Sequence, residues 1–272
     1  MVLIKDIYRL GLSKKETFLL SSLAKVGKGV FTIKEAVDIL GKDAKRTMSS
    51  LIRKKWILPL KRGLYAIVPL DIGVKGAESF ILHDFVAASY MAEPYYVGFW
   101  SALNYHGLSD QIPGTVFVAT TKARPPLRVQ NSWFRFVQLT KNRFVGIEKV
   151  EIDGREVEIS DKEKTIVDCL DHPEHSGGID EVAKAIFFGH EELDRVKVHS
   201  YALMMRNNAI FKRLGYLLEK TDLFNAYKSL FEGIRLTTGY SALDKGGARA
   251  GKYNERWKLF INADIDAKRW MY

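Results

Sequence analysis

The sequence predicts an α+β protein: an N-terminal winged helix-turn-helix followed by a larger mixed domain with a small sheet and several packed helices. Three observations predict it. Three short amphipathic segments open the chain and lead into two apolar runs around a basic turn; alternating β-branched segments occupy the middle; and from Ser160 onward apolar residues recur at helical spacing. The change of character after Pro69 divides the chain into a DNA-binding domain at 1–70 and an α+β domain at 71–272.

The first helix is announced by Ser13 before KKETFLLSSLAKV, where Glu16 completes a capping-box pattern and Phe18, Leu19, Leu23 and Val26 recur at helical spacing. In the second, IKEAVDILG, Thr32 caps, Glu35 returns the bond and Gly41 closes the C-terminus. The third is DAKRTMSSLIRKKWI, with Asp43 as cap and Met48, Leu51, Ile52 and Trp56 as the inner stripe. Lys45, Arg46, Ser49, Arg53 and Lys54 lie outside that stripe, and Lys55 follows beside them. LPLKRGLYAIVP then reads as two short strands joined at Lys61-Arg62-Gly63, a hairpin with a basic tip.

Helices and hairpin in this order form a winged helix. Its third helix enters the major groove, where Ser and Arg reach base edges and Lys mainly neutralises phosphate, while Lys61 and Arg62 on the wing reach the neighbouring backbone or minor groove. A helical cap with an ordinarily solvated charged face would share some of these features. Order, spacing and charge together favour nucleic acid.

In the second domain, VKGAESFILHDFVAASYM reads as a helix, and EPYYVGFWSALNYHGLSDQIP as an aromatic-rich helix closed by Gly107 and Pro113. TVFVATTK, SWFRFVQL and EKVEIDGREVEIS supply strands, the last folded at the Asp153-Gly154 turn. Helices follow at SDKEKTIVDCLD, GGIDEVAKAIFFG, DRVKVHSYALMM, NNAIFKRLGYLLEKTD and FNAYKSLFEG, and the tail returns to loop and a final strand. There the Trp257-x-Leu259-x-Ile261 alternation suggests a strand over the core, with Arg249, Lys252, Arg256 and Lys258 turned outward.

Composition bounds the function. The 272 residues are 47% hydrophobic, enough for one large core or two unequal ones, and 42 Lys plus Arg against 32 Asp plus Glu give a net charge of +10. That imbalance favours polyanionic partners, duplex DNA first. The single cysteine, Cys169, excludes an internal disulfide and a Cys-rich zinc site. No stretch approaches the ~20 apolar residues of a membrane span, so the expected address is the cytoplasm. There is no phosphate-binding G-x-x-x-x-G-K-[ST] loop, no G-x-S-x-G elbow and no kinase signature. His172 and His175, around Pro173, show no metal-ligand spacing, and neither metal nor cofactor is expected.

At VGFWSALNYHGLSDQIP, TVFVATTK, the ISDKEKTIVDCLDHPEHSGGIDEVAKAI block and FKRLGYLLEK, the chain resembles the AbiEi family of winged-helix proteins, in the same order over nearly the whole length. The resemblance implies an antitoxin or transcriptional regulator. The chain is also similar to archaeal, hyperthermophile members with lyase activity at abasic DNA sites. Such a lyase attacks the sugar aldehyde with an amine, and the resulting Schiff base eliminates the 3′ phosphate without a metal.

Lys164 is the residue best suited to that chemistry. It falls in the first turn of a helix capped by Ser160 or Asp161, where the helix dipole disfavours an ammonium, with Glu163 beside it and Asp168 one turn on as proton carriers. The same spacing fits an ordinary surface i,i+4 pair. Lys54, Lys55 and Lys61 compete for the nucleophile's role, although phosphate contact suits them better. His106 with Asp110 offers a second proton-transfer pair, and Tyr95, Tyr96, Phe99, Trp100 and Tyr105 either line a pocket for an unpaired sugar or base or pack the core. The expected activity is abasic-site cleavage on duplex DNA by Schiff-base β-elimination. The alternatives are a non-catalytic regulator or antitoxin on an operator, and an RNA-binding protein.

Overall fold

The computed structural model describes residues 10–72 and 80–270, which fall into two units: 10–72 and 80–90 with 129–131, and 91–128 with 132–270. In the first, α1 (Lys14–Lys25) begins at a reciprocal capping box, Ser13 N donating to Glu16 Oε2 at 2.6 Å and Glu16 N to Ser13 Oγ at 3.5 Å. Strand β1 (Val30–Thr32) leads into α2 (Ile33–Leu40), opened by a second capping box between Thr32 and Glu35 and ended by Gly41 at φ +59°. A single 3₁₀ turn, Gly41–Asp43, precedes α3 (Ala44–Arg53). Asp43 does not cap α3 through its side chain. Its carboxylate instead takes the Lys15 ammonium at 2.6 Å.

Strands β2 (Ile57–Lys61) and β3 (Leu64–Ile67) complete an antiparallel sheet of order β1-β3-β2. Leu19, Leu23, Phe31, Ala36, Ala44, Met48, Leu51 and Ile57 form the core beneath it. Each large apolar side chain buried there contributes about 1.5–3 kcal/mol, against about 1 kcal/mol for a cap, so packing rather than local signals holds the helices together. The inner stripe of α3 is Ala44, Thr47, Met48 and Leu51. Ile52, expected in that stripe, is 38% exposed, because the i, i+3, i+4, i+7 row leaves it about a quarter-turn away. Of the helix expected over VKGAESFILHDFVAASYM, residues 74–79 lie outside the described residues; α4 spans Asp84–Ser89.

In the second unit, Tyr95–Val97 is a strand, β4, rather than the start of a helix, and only α5 (Phe99–Tyr105) is helical. Pro94 supplies no backbone donor, and the Tyr-Tyr-Val run after it suits a buried strand. With β5 (Thr115–Thr120), β6 (Leu127–Val129), β7 (Ser132–Gln138), β8 (Ile147–Ile152) and β9 (Arg155–Ser160) it forms a mixed sheet of order β6-β7-β5-β4-β9-β8. β4 runs antiparallel to β5 and parallel to β9. The Asp153-Gly154 turn joins β8 to β9 with both residues at positive φ, +51° and +70°, the geometry that matches hairpin twist.

Helices α6 (Lys162–Asp171), α7 (Ile179–Gly189), α8 (Arg195–Met204), α9 (Asn208–Lys220) and α10 (Phe224–Tyr227) follow. A three-stranded sheet of β10 (Ser241–Ala242), β11 (Lys252–Asn254) and β12 (Leu259–Ile261) ends the unit. Helix α6 packs against α5, α7, α8 and α9, and every residue from Glu163 to Asp171 is buried. A helix enclosed on all sides must find partners for its polar side chains inside the protein.

Trp257, buried against α9, depends on a missing side chain: a Cβ added at Gly215 would lie 2.0 Å from the Trp257 ring. Gly215→Ala should therefore lower stability by about 1–3 kcal/mol, despite the helix-propensity gain of roughly 1 kcal/mol. Urea unfolding measures this, and an unchanged or raised midpoint would show that the indole moves aside without cost.

Candidate nucleic-acid interface

Because α3 turns Ala44, Thr47, Met48 and Leu51 inward, its opposite face presents Lys45, Ser49 and Arg53 in one i, i+4, i+8 row, with Arg46 at its edge, all four exposed. Ser49 Oγ donates back to Lys45 O at 3.1 Å, which leaves its acceptor lone pairs outward. Among the described residues, no carboxylate lies within ion-pair range of Lys45, Arg46, Arg53 or Arg62. The nearby acids are already occupied, Asp43 by Lys15 and Glu16 by Lys54.

Lys54 differs from its neighbours. It folds inward, donating to Glu16 Oε2 at 2.6 Å and Gly11 O at 2.8 Å, so it ties α3 to α1 rather than facing outward with Arg53. Lys55, half-buried, occupies the left-handed position that ends α3, at φ +62°. In the wing, Arg62 is exposed and Lys61 half-buried. Gly63, at φ +80°, accepts from Ile33 N at 2.9 Å, pinning the hairpin turn to the start of α2.

Lys164, Glu163 and Asp168 all stand on α6, opened by Asp161 Oδ1 accepting from Lys164 N at 2.7 Å. Lys164 and Asp168 pair, but not on the surface: both are 0% exposed. The ammonium donates to Asp168 Oδ1 and, at 2.9 Å, to Tyr96 Oη; Tyr96 Oη donates in turn to Asp168 Oδ2 at 2.8 Å. Burial pushes the Asp168 carboxyl up, against the Lys164 ammonium and the Tyr96 hydroxyl, which pull it down. Burial also raises the Tyr96 phenol well above its ordinary range, reinforced by Asp168. Glu163 turns away from the pair, accepting from Asp194 N at 2.9 Å, with Lys197 Nζ at 3.8 Å. Tyr96, 68 residues from Lys164, is the partner that sequence spacing did not reveal. In this arrangement the Lys164 amine is fully enclosed and does not face solvent.

His106 and Asp110 do not pair: the His106 ring meets Ser160 O at 2.7 Å, while Asp110 faces Lys184 at 3.8 Å. Tyr95, Tyr96 and Phe99 are core, and Tyr105 is 43% exposed. Contrary to the spacing expectation, His172 and His175 do come together, with Glu174 between them.

The first unit has the element order and outward basic row of winged-helix DNA-binding proteins, followed here by a second α+β unit. Residues 19–68 match the family described as "Transcriptional regulator, AbiEi antitoxin", and residues 96–220 match the "AbiEi antitoxin C-terminal domain". Together the two matches support the AbiEi antitoxin and transcriptional-regulator family. Among solved structures, the RV2827C protein from Mycobacterium tuberculosis has a similar fold, with a TM-score of 0.66 and 14% identity over 93% of each chain. A comparison with curated proteins found no match. No helix among the described residues is long and apolar enough to cross a membrane.

Two stability effects follow from the buried pairs. Lys164→Met leaves Asp168 uncompensated and should cost about 3–5 kcal/mol, while Lys164→Met with Asp168→Leu should recover much of that loss; equal stabilities for both variants in denaturant unfolding would refute the coupling. Burial works to raise the Glu16 pKa, yet hydrogen bonds from Lys54, Ser13 N, Ser50 and Ser13 Oγ lower it from 4.5 to about 2. Its contribution, about 3 kcal/mol, is thus complete above pH 4.5 and lost as pH falls toward about 2. Glu16→Gln should flatten that part of the pH–stability curve.

Proposed function

We propose that this protein is a non-catalytic, DNA-binding transcriptional regulator or antitoxin of the AbiEi type, with α3 in the major groove and the Arg62 turn on the adjacent backbone. The observation that carries it is the exposed Lys45–Ser49–Arg53 row with Arg46, none of its cations in an ion pair among the described residues because the nearby Asp43 and Glu16 are taken by Lys15 and Lys54, on the helix that winged-helix proteins place against bases. Arg46 and Arg53 suit base edges or phosphate, Ser49 either, and Lys45 phosphate. Lys54, held by Glu16, serves the fold more than the interface. The family match to AbiEi regulators supports the same partner.

Abasic-site cleavage through Lys164 is not favoured, since the amine is fully enclosed and ion-paired. A search for a lyase nucleophile would move next to Lys54, Lys55 and Lys61, the lysines in or beside the winged-helix surface.

The test pairs binding with trapping. Genomic DNA fragments selected on the protein should yield an undamaged operator with a defined footprint. Replacing Lys45, Arg46, Arg53 and Arg62 together by Ala should weaken binding and reduce the slope of log K against log salt by roughly 0.9 per lost phosphate contact. Unchanged affinity and slope in a folded variant would remove α3 from the interface. Covalent trapping by borohydride on an abasic oligonucleotide would overturn the non-catalytic reading, and preferential binding to RNA would overturn the operator.

A further inference from the structure

We propose that His172, Glu174 and His175 form a binding site for a divalent transition-metal ion of the zinc class, with a fourth coordination position open to water. The site lies in the second unit and is independent of the DNA-binding reading. Helix α6 ends at Asp171, and Pro173 starts a 3₁₀ turn, Pro173–His175. A 3₁₀ turn has three residues per turn and brings side chains at i and i+3 over one another. The two imidazoles accordingly stack, with centroids 5.7 Å apart and planes at 13°. Phe99 holds both rings edge-on, at 5.9 Å and 5.8 Å.

One ring nitrogen from each histidine and one carboxylate oxygen of Glu174 lie within 4.8 Å of one another. Tetrahedral zinc, with bonds of about 2.0–2.2 Å, holds its ligand atoms about 3.3–3.5 Å apart, so closure requires movement on the order of an ångström. Two atoms of the cluster are buried and unpartnered, His175 Nδ1 and Glu174 Oε2. Buried polar atoms are rarely left so, and a bound cation supplies the missing partner. His172 has Nδ1 3.1 Å from Glu174 Oε1 and Nε2 3.4 Å from Asp171 Oδ2. With Nδ1 on the metal, the ring's single proton sits on Nε2 facing Asp171, the carboxylate–histidine–metal relay common around zinc. Asp171 is fixed for that role by Arg143 at 2.7 Å and by Asn207. The His172 and Glu174 side chains are 20% and 27% exposed, which gives an ion a way in. Lys245, 3.9 Å from Glu174 Oε1 and donating to Asp171 O at 2.6 Å, opposes the cation, so binding must displace the ammonium from the Glu174 carboxylate.

The full chain, made without a polyhistidine tag and stripped of metal, should bind one equivalent of Zn²⁺ by calorimetry and give the intense visible bands of four-coordinate Co²⁺. His172→Ala with His175→Ala should abolish both, and Glu174→Gln should weaken binding by more than the roughly 10–100-fold that loss of a supporting partner costs. Failure of the wild-type protein to bind Zn²⁺, or an unchanged Co²⁺ spectrum in the folded histidine variant, would overturn the site. Should the histidine variant fail to fold, wild-type Co²⁺ affinity and spectrum in Glu174→Gln would overturn it.

Discussion

The closed triangle of Lys164, Asp168 and Tyr96 constrains how the central helix of the second domain meets its sheet. Removing an ammonium and a carboxylate from water costs several kcal/mol per ion, offset only when their geometry is good and the remaining polar atoms are satisfied. Here each member is bonded to the other two. Because Tyr96 belongs to β4 and the other two to α6, the triangle fixes the central helix to the sheet at one register. Its neighbours are shaped to it: Gly146 carries no side chain, and a Cβ there would lie 2.7 Å from Lys164 Cβ. From the C-terminal end of the same helix, Asp171 engages Arg143, Asn207 and the His172 ring.

The winged helix treats charge in the opposite way. It pairs the acids closest to α3 locally, Glu16 with Lys54 and Asp43 with Lys15, and leaves the α3 row without carboxylate partners among the described residues. Exposed cations of this kind contribute little to folding. They remain available to a polyanion, and the +10 net charge of the chain adds long-range attraction. Two lysines adjacent to α3's end thus have different fates from Arg53: Lys54 is a strut between helices, and Lys55 supplies the backbone turn.

What the sequence determined was local. Both capping boxes, the Gly41 stop, the Asp153-Gly154 hairpin and the alternation of basic and apolar positions on α3 depend on residues within a turn or two of each other, so spacing alone displays them. The winged helix followed by an α+β domain, and the resemblance to AbiEi proteins, rest on such signals. Only the tertiary structure decided which faces were enclosed. Lys164 and Asp168 have the spacing of a surface pair, and nothing in their own segment tells that α5, α7, α8 and α9 close around them or that Tyr96 arrives from β4. Lys54, expected to face outward, folds back instead because Glu16 and the Gly11 carbonyl stand within its reach. His172, Glu174 and His175 straddle the Pro173 that follows the end of α6, and it is a 3₁₀ turn backed by Phe99 that gathers them. Period and capping are properties of a segment, whereas desolvation depends on every segment packed against it.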